Sequence, residues 1–160
     1  MAETHETISF AGNDTELAAR LRNAFQSRSW SLSIGGTTRQ IVRILQESRN
    51  GRERLGTESE WHWVKDFFTP LVLEIDYVDP ESTEIVRDIK RLYGAIPVIV
   101  IGSNVDLAAL SVARMDGADA LFRKSDLDLD RLCDAVGDAV ARVGRWRKLL
   151  DQFDQKAAVV

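Results

Sequence analysis

The stretch LVLEI at residues 71–75, followed by Asp76, decides the fold because it has the length and composition of a buried β-strand. PVIVI at residues 97–101 has the same character, and the shorter run ALF lies at residues 120–122. Brief apolar runs of this kind, bounded by Pro, Gly or Asp, are typical of buried strands. Residues 7–11 and 31–34 are weaker, alternating segments that predict two more strands. The sequence therefore predicts five strands.

Helical apolar spacing separates these strands. Five helices are predicted. The first begins after Asp14 or Thr15, the second contains the stripe Ile41, Ile44 and Leu45, and the third begins after Pro80. The fourth begins at a capping box of Ser103 and Asp106 and ends at Asp116-Gly117, and the fifth begins at Asp126. Strands that alternate with helices pair in parallel through right-handed crossovers. The predicted fold is thus a doubly wound α/β sandwich with a five-stranded parallel sheet, of the flavodoxin-like kind.

Composition indicates one domain over residues 1–160 and excludes several classes of protein. The chain has 160 residues, a net charge of -4 and a single cysteine, Cys133. One cysteine excludes an internal disulfide framework and a multi-cysteine zinc site. No apolar run is long enough for a membrane span, the N-terminus does not resemble a secretory signal, and the acidic balance argues against nucleic-acid binding. We expect a cytoplasmic protein with neither membrane nor nucleic acid as partner.

The connection from Gly35 to Pro70 is longer than one crossover helix needs. It contains an insert at residues 47–69 whose apolar positions include Trp61 and Trp63. Two interpretations stay open: the tryptophans pack against the domain, or they form a partner-binding surface, where tryptophan is enriched.

The last helix has the spacing of a coiled-coil seam, with apolar residues at alternating steps of three and four. The seam runs through Leu129, Leu132, Val136, Ala139, Val143, Trp146, Leu150 and Phe153. Such a helix is longer than a strand of the sheet, so residues 144–160 should project as a tail. The projecting Trp146, Leu150 and Phe153 predict a homodimer, with folding back onto the insert as the alternative.

Chemistry in a parallel sheet collects at the carboxyl ends of the strands. Asp76 and Lys124 end two of the predicted strands. A carboxylate and an ammonium across this edge could bind an anion or accept a phosphoryl group, and a structural ion pair is the alternative. Glu74 faces the same side as Asp76, so it needs a partner such as Lys124 or a backbone donor, or else holds a proton.

Three segments resemble the receiver domains of response regulators: DYVDP at residues 76–80, IPVIVI at 96–101 and GADALFRK at 117–124. The resemblance spans about residues 7–143. It implies that Asp76 accepts a phosphoryl group from a histidine kinase and that Lys124 contacts the phosphoryl oxygens. It also implies a magnesium ion bound by Asp76 and an acidic pair after the first strand.

The other positions of this resemblance depart from the family. The acidic pair falls on Gly12 and Asn13, with Asp14 next to it, and the phosphoryl-contacting hydroxyl falls on Gly102, with Ser103 next to it. Leu121 takes the place of the aromatic switch residue. Because Mg²⁺ is usually held by carboxylates, we expect at most weak magnesium binding by Asn13, Asp14 and Asp76.

These departures predict an atypical receiver, not an enzyme, that acts through contacts with signalling proteins and has weak or absent phosphorylation. Two alternatives remain. One is a working phosphoacceptor in a two-component phosphorelay, in which Asp14 or water replaces the missing carboxylates. The other is a small-anion or nucleotide-binding module at residues 35–38, where Gly-Gly-Thr-Thr leads into a predicted helix.

Overall fold

A computed structural model of the chain describes residues 6–38, 40, 69–92, 94 and 96–158. The predicted second helix and the insert tryptophans, Trp61 and Trp63, lie outside these residues, as does the side chain of Leu150. None of the helices described is long and apolar enough to cross a membrane.

Five parallel strands form one sheet in the order β2-β1-β3-β4-β5. The strands are β1 (Glu6–Ala11), β2 (Trp30–Gly36), β3 (Leu71–Asp76), β4 (Val98–Ser103) and β5 (Ala120–Arg123). Non-consecutive neighbours in this order require crossover connections. The predicted fold class is confirmed. Strands β1, β2, β3 and β5 extend one or two residues beyond the predicted ranges, whereas β4 begins at Val98, one residue later than predicted, and ends two residues later.

The described residues contain four α-helices: α1 (Thr15–Gln26), α2 (Ile85–Leu92), α3 (Leu107–Met115) and α4 (Leu129–Ala158). Short 3-10 helices at Ser82–Glu84 and Lys124–Asp126 precede α2 and α4. The predicted cap of α3 was wrong: Asp106, not Ser103, is the N-cap residue, and its Oδ1 accepts from the amide of Ala109, the third residue of the helix, at 2.8 Å. The predicted start of the last helix at Asp126 was also early, because residues 124–126 form the 3-10 turn.

Two cores sandwich the sheet. On one face, α2 packs on a cluster that includes Leu73, Ile75 and Val100. On the other face, α1 and α4 cover Phe10, Ile101 and their neighbours. Because side chains alternate along a strand, β3 points Leu71, Leu73 and Ile75 to the first face and Val72 and Glu74 to the second. Glu74 is therefore a carboxylate on a face that is otherwise apolar.

Helix α4 follows the predicted seam and runs past the sheet. It contains 30 residues, which corresponds to roughly 45 Å at 1.5 Å per residue. Leu132, Val136 and Val143 are buried, whereas Trp146 is 52% exposed and Phe153 is 68% exposed. The same stripe is thus core in its first half and solvent-facing in its second.

Asp119 joins three elements at the amino-terminal edge of the sheet. Its Oδ2 accepts from the Val98 amide at 2.7 Å and from Lys90 Nζ at 3.0 Å, and its Oδ1 accepts from Arg142 Nη1 at 2.6 Å. Partial burial alone would raise the pKa of Asp119, but the bonds from Val98, Arg142 and Lys90 outweigh burial and hold that pKa below its ordinary value.

Asp119→Asn is expected to lower the free energy of unfolding at neutral pH by about 2 kcal/mol, because one amide oxygen replaces a carboxylate that accepts three bonds. A lowered native pKa stabilises the fold above the unfolded pKa of about 3.9, and this stabilisation is lost as pH falls through the native pKa. Urea unfolding should therefore show the difference from wild type shrinking toward about pH 3. Asp134→Asn, at an exposed ion pair with Arg28, is the near-neutral control. If Asp119→Asn lowered the free energy of unfolding equally at neutral pH and at about pH 3, the ionised carboxylate would not be the source of the stabilisation.

Candidate functional site

The carboxyl edge of the sheet brings together the ends of β1, β3, β4 and β5. The register pairs Asp76 of β3 with Ser103 of β4. Lys124 follows β5, and Asp14 begins α1 just after β1. The topology therefore places the predicted acceptor, lysine and acidic segment at one edge, as the sequence indicated.

Asp76 is exposed, and two neighbouring residues donate hydrogen bonds to its carboxylate. Its Oδ1 accepts from Asn104 Nδ2 at 2.9 Å and from the Val78 amide at 3.0 Å. The bond from Asn104, followed by that from Val78, holds the pKa of Asp76 below its ordinary value. Asp76 is thus ionised at neutral pH and accessible to a small molecule.

Asn104 is a residue of this site that the sequence analysis missed. It follows β4 with a φ of 56°, in the left-handed region that Asn tolerates better than most residues. This conformation accompanies the bond from its amide to Asp76. The detectable signal was an asparagine directly after a strand end, at the edge where ligands bind.

Lys124 pairs with Asp14 and Glu74. Its Nζ lies 2.8 Å from Asp14 Oδ2 and 3.8 Å from Glu74 Oε1. The bond to Asp14 is the main cause of a raised pKa at Lys124, and the same bond is the main cause of a lowered pKa at Asp14. Both groups are therefore charged at neutral pH. The predicted contact of Lys124 with a phosphoryl group on Asp76 would compete with this ion pair to Asp14.

Asp14 has a second bond that fixes its position. Its Oδ1 accepts from the Leu17 amide at 3.0 Å and so caps α1. An N-cap carboxylate satisfies an otherwise unpaired amide at the helix start. With one oxygen on the helix and the other on Lys124, Asp14 is held beside the pocket by two interactions.

Glu74 fills the space above Gly12. A Cβ atom added at Gly12 would lie 2.7 Å from Glu74 Cβ, 2.7 Å from Phe10 Cζ and 3.1 Å from Glu74 Oε2. The Glu74 backbone carbonyl accepts from Thr38 Oγ1 at 2.6 Å, and Glu74 Oε2 is buried with no hydrogen-bond partner among the described residues. Position 12 thus carries no carboxylate, and the Glu74 side chain of β3 occupies the adjacent space.

Tyr77 and Val105 fill the space above Gly102 in the same way. A Cβ atom at Gly102 would lie 2.7 Å from Val105 Cγ2 and 2.9 Å from Tyr77 Cε2. Within the part of the chain that the structure describes, the buried Tyr77 hydroxyl has no hydrogen-bond partner. Burial, with the nearby charge of Asp116, raises the pKa of Tyr77 to about 12. The position of the family's phosphoryl-contacting hydroxyl is therefore occupied by packed side chains.

With Lys124 bonded to Asp14, the residues present do not fit a magnesium ion. Gly12 offers no ligand, Asn13 offers a neutral amide oxygen, and Asp14 is bonded to Lys124 and Leu17. Mg²⁺ requires oxygen ligands in near-octahedral geometry. Among the residues that the structure describes, no group of three acidic, histidine or cysteine side chains is arranged to hold a metal ion.

The remaining predicted positions have other contacts. Ser103 accepts the Tyr77 amide at its backbone oxygen, and Leu121 packs against the core on the α2 face. In the predicted anion-binding segment, the Thr37 amide donates to Gln40 Oε1 at 2.8 Å. That amide is engaged within the chain, and the anion-binding alternative remains a prediction.

Comparison with known proteins places this geometry in a known fold. No protein-family model matches the sequence, and no curated protein matches it. Among solved structures, a CheY-like receiver domain from Methanospirillum hungatei JF-1 is 14% identical with a TM-score of 0.59, over 89% of this chain and 98% of that chain. A receiver domain from Clostridium thermocellum is 17% identical with a TM-score of 0.60, over 91% and 98%.

A pilus assembly-related protein from Burkholderia pseudomallei K96243 is similar too, at 18% identity and a TM-score of 0.62, over 86% of this chain and 90% of that chain. The strand order, the parallel pairing and these structural matches agree with the resemblance carried by residues 76–80, 96–101 and 117–124. The chain therefore has the fold of the response-regulator receiver domains.

Proposed function

We propose that this chain is an atypical receiver that signals through protein contacts, with weak or absent phosphorylation of Asp76. The observation that carries the proposal is the occupied pocket: Lys124 is bonded to Asp14 at 2.8 Å, and the spaces above Gly12 and Gly102 are filled. An exposed, ionised Asp76 remains, but the groups that would assist its reaction are engaged elsewhere.

The chemistry of phosphoryl transfer explains why this matters. When a carboxylate oxygen attacks phosphorus, the bond to the leaving group breaks and negative charge spreads over the phosphoryl oxygens. Cations and hydrogen-bond donors in fixed positions stabilise that charge. Here the ammonium is held by Asp14 and Glu74, and Gly102 supplies no hydroxyl. Transfer to Asp76 should be slower by orders of magnitude than at a complete site.

An exposed apolar surface on α3 supports a role in protein contacts. Leu107 is 78% exposed, Leu110 is 49% exposed and Met115 is 86% exposed. Leu107 and Leu110 border a groove of about 640 Å³ that is also lined by Leu121 and Arg131. Clustered exposed apolar side chains with a charged rim are typical of protein interaction sites. We expect a signalling protein, such as a histidine kinase or another regulator, as partner.

The direct test is incubation of the intact protein with acetyl phosphate and magnesium, followed by intact-mass spectrometry. A receiver domain of known activity, treated in parallel, is the positive control. Most of the protein should keep its original mass. Stoichiometric gain of one phosphoryl group, lost in Asp76→Asn, would contradict the proposal.

A working phosphoacceptor is the second candidate, because Asp76 is exposed and its pKa is lowered by Asn104 and Val78. An ionised, accessible carboxylate has the form that attacks phosphorus. The same mass measurement separates the two functions, since only this candidate predicts stoichiometric labelling.

The projecting end of α4 is proposed to pair with a second copy of the chain. Trp146 and Phe153 continue the buried seam but are exposed in the single chain, and exposed apolar rows favour association. Light scattering should give a dimer mass for the full chain and a monomer mass after truncation beyond Val143. The double variant Trp146→Gln/Phe153→Gln keeps the helix and should also be monomeric. A monomeric full chain would contradict this pairing.

A further inference from the structure

The pocket of this chain contains its own cation. Lys124 Nζ lies between two carboxylates that reach it from different elements, Asp14 from the start of α1 and Glu74 from β3. The side chains are partly to largely shielded, with 33% of Lys124, 30% of Asp14 and 14% of Glu74 exposed. Shielding strengthens such ion pairs relative to those at the open surface.

Glu74 is the second carboxylate of this arrangement, and it comes from β3. Position 12 lacks a side chain, and the Glu74 carboxylate lies where one would be, 3.1 Å from the place of a Cβ atom. Among the residues that the structure describes, Lys124 is the basic side chain that forms an ion pair with Glu74, with Nζ 3.8 Å from Oε1. The pocket thus has two carboxylates beside one ammonium, that of Asp14 at the start of α1 and that of Glu74 on β3.

Charge balance favours retention of this ammonium. Removal of Lys124 would leave the partly buried carboxylates of Asp14 and Glu74 without this countercharge. Carboxylates that lose their partner in a shielded site are costly. A divalent ion that used Asp14 Oδ2 and Glu74 Oε1 as ligands would have to displace the ammonium, because these are the carboxylate oxygens that face Lys124 Nζ.

We propose that the Lys124 ammonium is the resident cation of this pocket and excludes divalent ions from it. This inference rests on the proposed function, since it names the group that replaces the metal. The inference can nevertheless fail while the proposed function holds. It makes Lys124 a positioning residue that holds Asp14 and Glu74.

Cation rescue tests the proposal. The wild-type melting temperature, at matched ionic strength, should change by less than about 1 °C when about 10 mM magnesium chloride is added. Lys124→Met should melt at a lower temperature than wild type, and magnesium should raise its melting temperature by about 3 °C or more. Isothermal titration should show magnesium binding to Lys124→Met and none to wild type.

Two variants serve as controls. Arg123→Met removes the same charge one position away, at a surface pair with Asp126, and should gain no response to magnesium. Asp14→Asn/Lys124→Met keeps a residue able to cap α1 but removes one carboxylate, so it should lose the rescue. Lys124→Arg retains a cation and should be as insensitive as wild type.

Failure is distinguishable from failure of the proposed function. Magnesium binding to wild type would overturn the inference, and this arm does not depend on Lys124→Met being folded. A folded Lys124→Met without a magnesium response would overturn it as well. Stoichiometric labelling of Asp76 without magnesium would overturn only the proposed function, whereas magnesium-dependent labelling would overturn both.

Discussion

Gly12→Asp is expected to lower the free energy of unfolding by about 3 kcal/mol, although it supplies the type of residue that a magnesium-binding receiver has there. The new Cβ atom would lie 2.7 Å from both Glu74 Cβ and Phe10 Cζ. The added carboxylate would also lie beside that of Glu74, where like charges repel. Since the φ of Gly12 is not positive, the cost comes from contacts and not from backbone strain.

A double-mutant cycle identifies Glu74 as the cause. Chemical denaturation of wild type, Gly12→Asp, Glu74→Ala and the double variant should show that Glu74→Ala removes part of the penalty, with a coupling of about 1 kcal/mol or more. Phe10 remains in contact, so recovery should be incomplete. Additive effects, or a Gly12→Asp protein as stable as wild type, would show that Glu74 does not occupy this space.

Gly102→Thr is expected to cost about 2 kcal/mol by overpacking. The added side chain would meet Val105 Cγ2 at 2.7 Å and the Tyr77 ring at 2.9 Å, and both belong to short or rigid groups that cannot turn aside freely. The variant should also remain unlabelled by acetyl phosphate, because restoring the hydroxyl does not release Lys124. Thermal and urea unfolding measure the first effect, and intact mass measures the second.

Gly144→Ala is the matched control for glycine replacement. A Cβ atom there meets nothing within 4 Å, and Ala in a helix interior is favoured over Gly by roughly 0.5–1 kcal/mol. This variant should be slightly more stable than wild type. A Gly102→Thr protein that matched it in stability would contradict the packing assigned to Tyr77 and Val105.

Much of the fold could be predicted because its signals are local. The apolar runs at residues 71–75 and 97–101 indicate buried strands by length and β-branching alone. The alternation of strands with helices then leaves few topologies. The cap of α3 was missed because Ser103 and Asp106 both suit a helix start, and only the chain path, with Asn104 in a left-handed conformation, selects Asp106.

The sequence could predict which residues lie in the pocket but not which of them form ion pairs with each other. Strand ends located Asp76 and Lys124, and alternation along β3 indicated that Glu74 needs a partner. Whether Lys124 forms an ion pair with Asp76 or with Asp14 depends on distances of a few ångströms between separate elements. No local sequence pattern encodes these distances. The filling of the spaces above Gly12 and Gly102 likewise depends on side chains from neighbouring strands and loops.

The central claim is that side chains of this chain occupy the metal and phosphoryl positions of the receiver fold. The most direct test is a crystal structure of the full chain grown with magnesium and beryllofluoride, a mimic of the phosphoryl group. The account predicts Lys124 Nζ within hydrogen-bonding distance of Asp14, Glu74 above Gly12, and neither ion bound at Asp76. An octahedral magnesium on Asp14 and Asp76, with Lys124 turned to a beryllofluoride on Asp76, would contradict it.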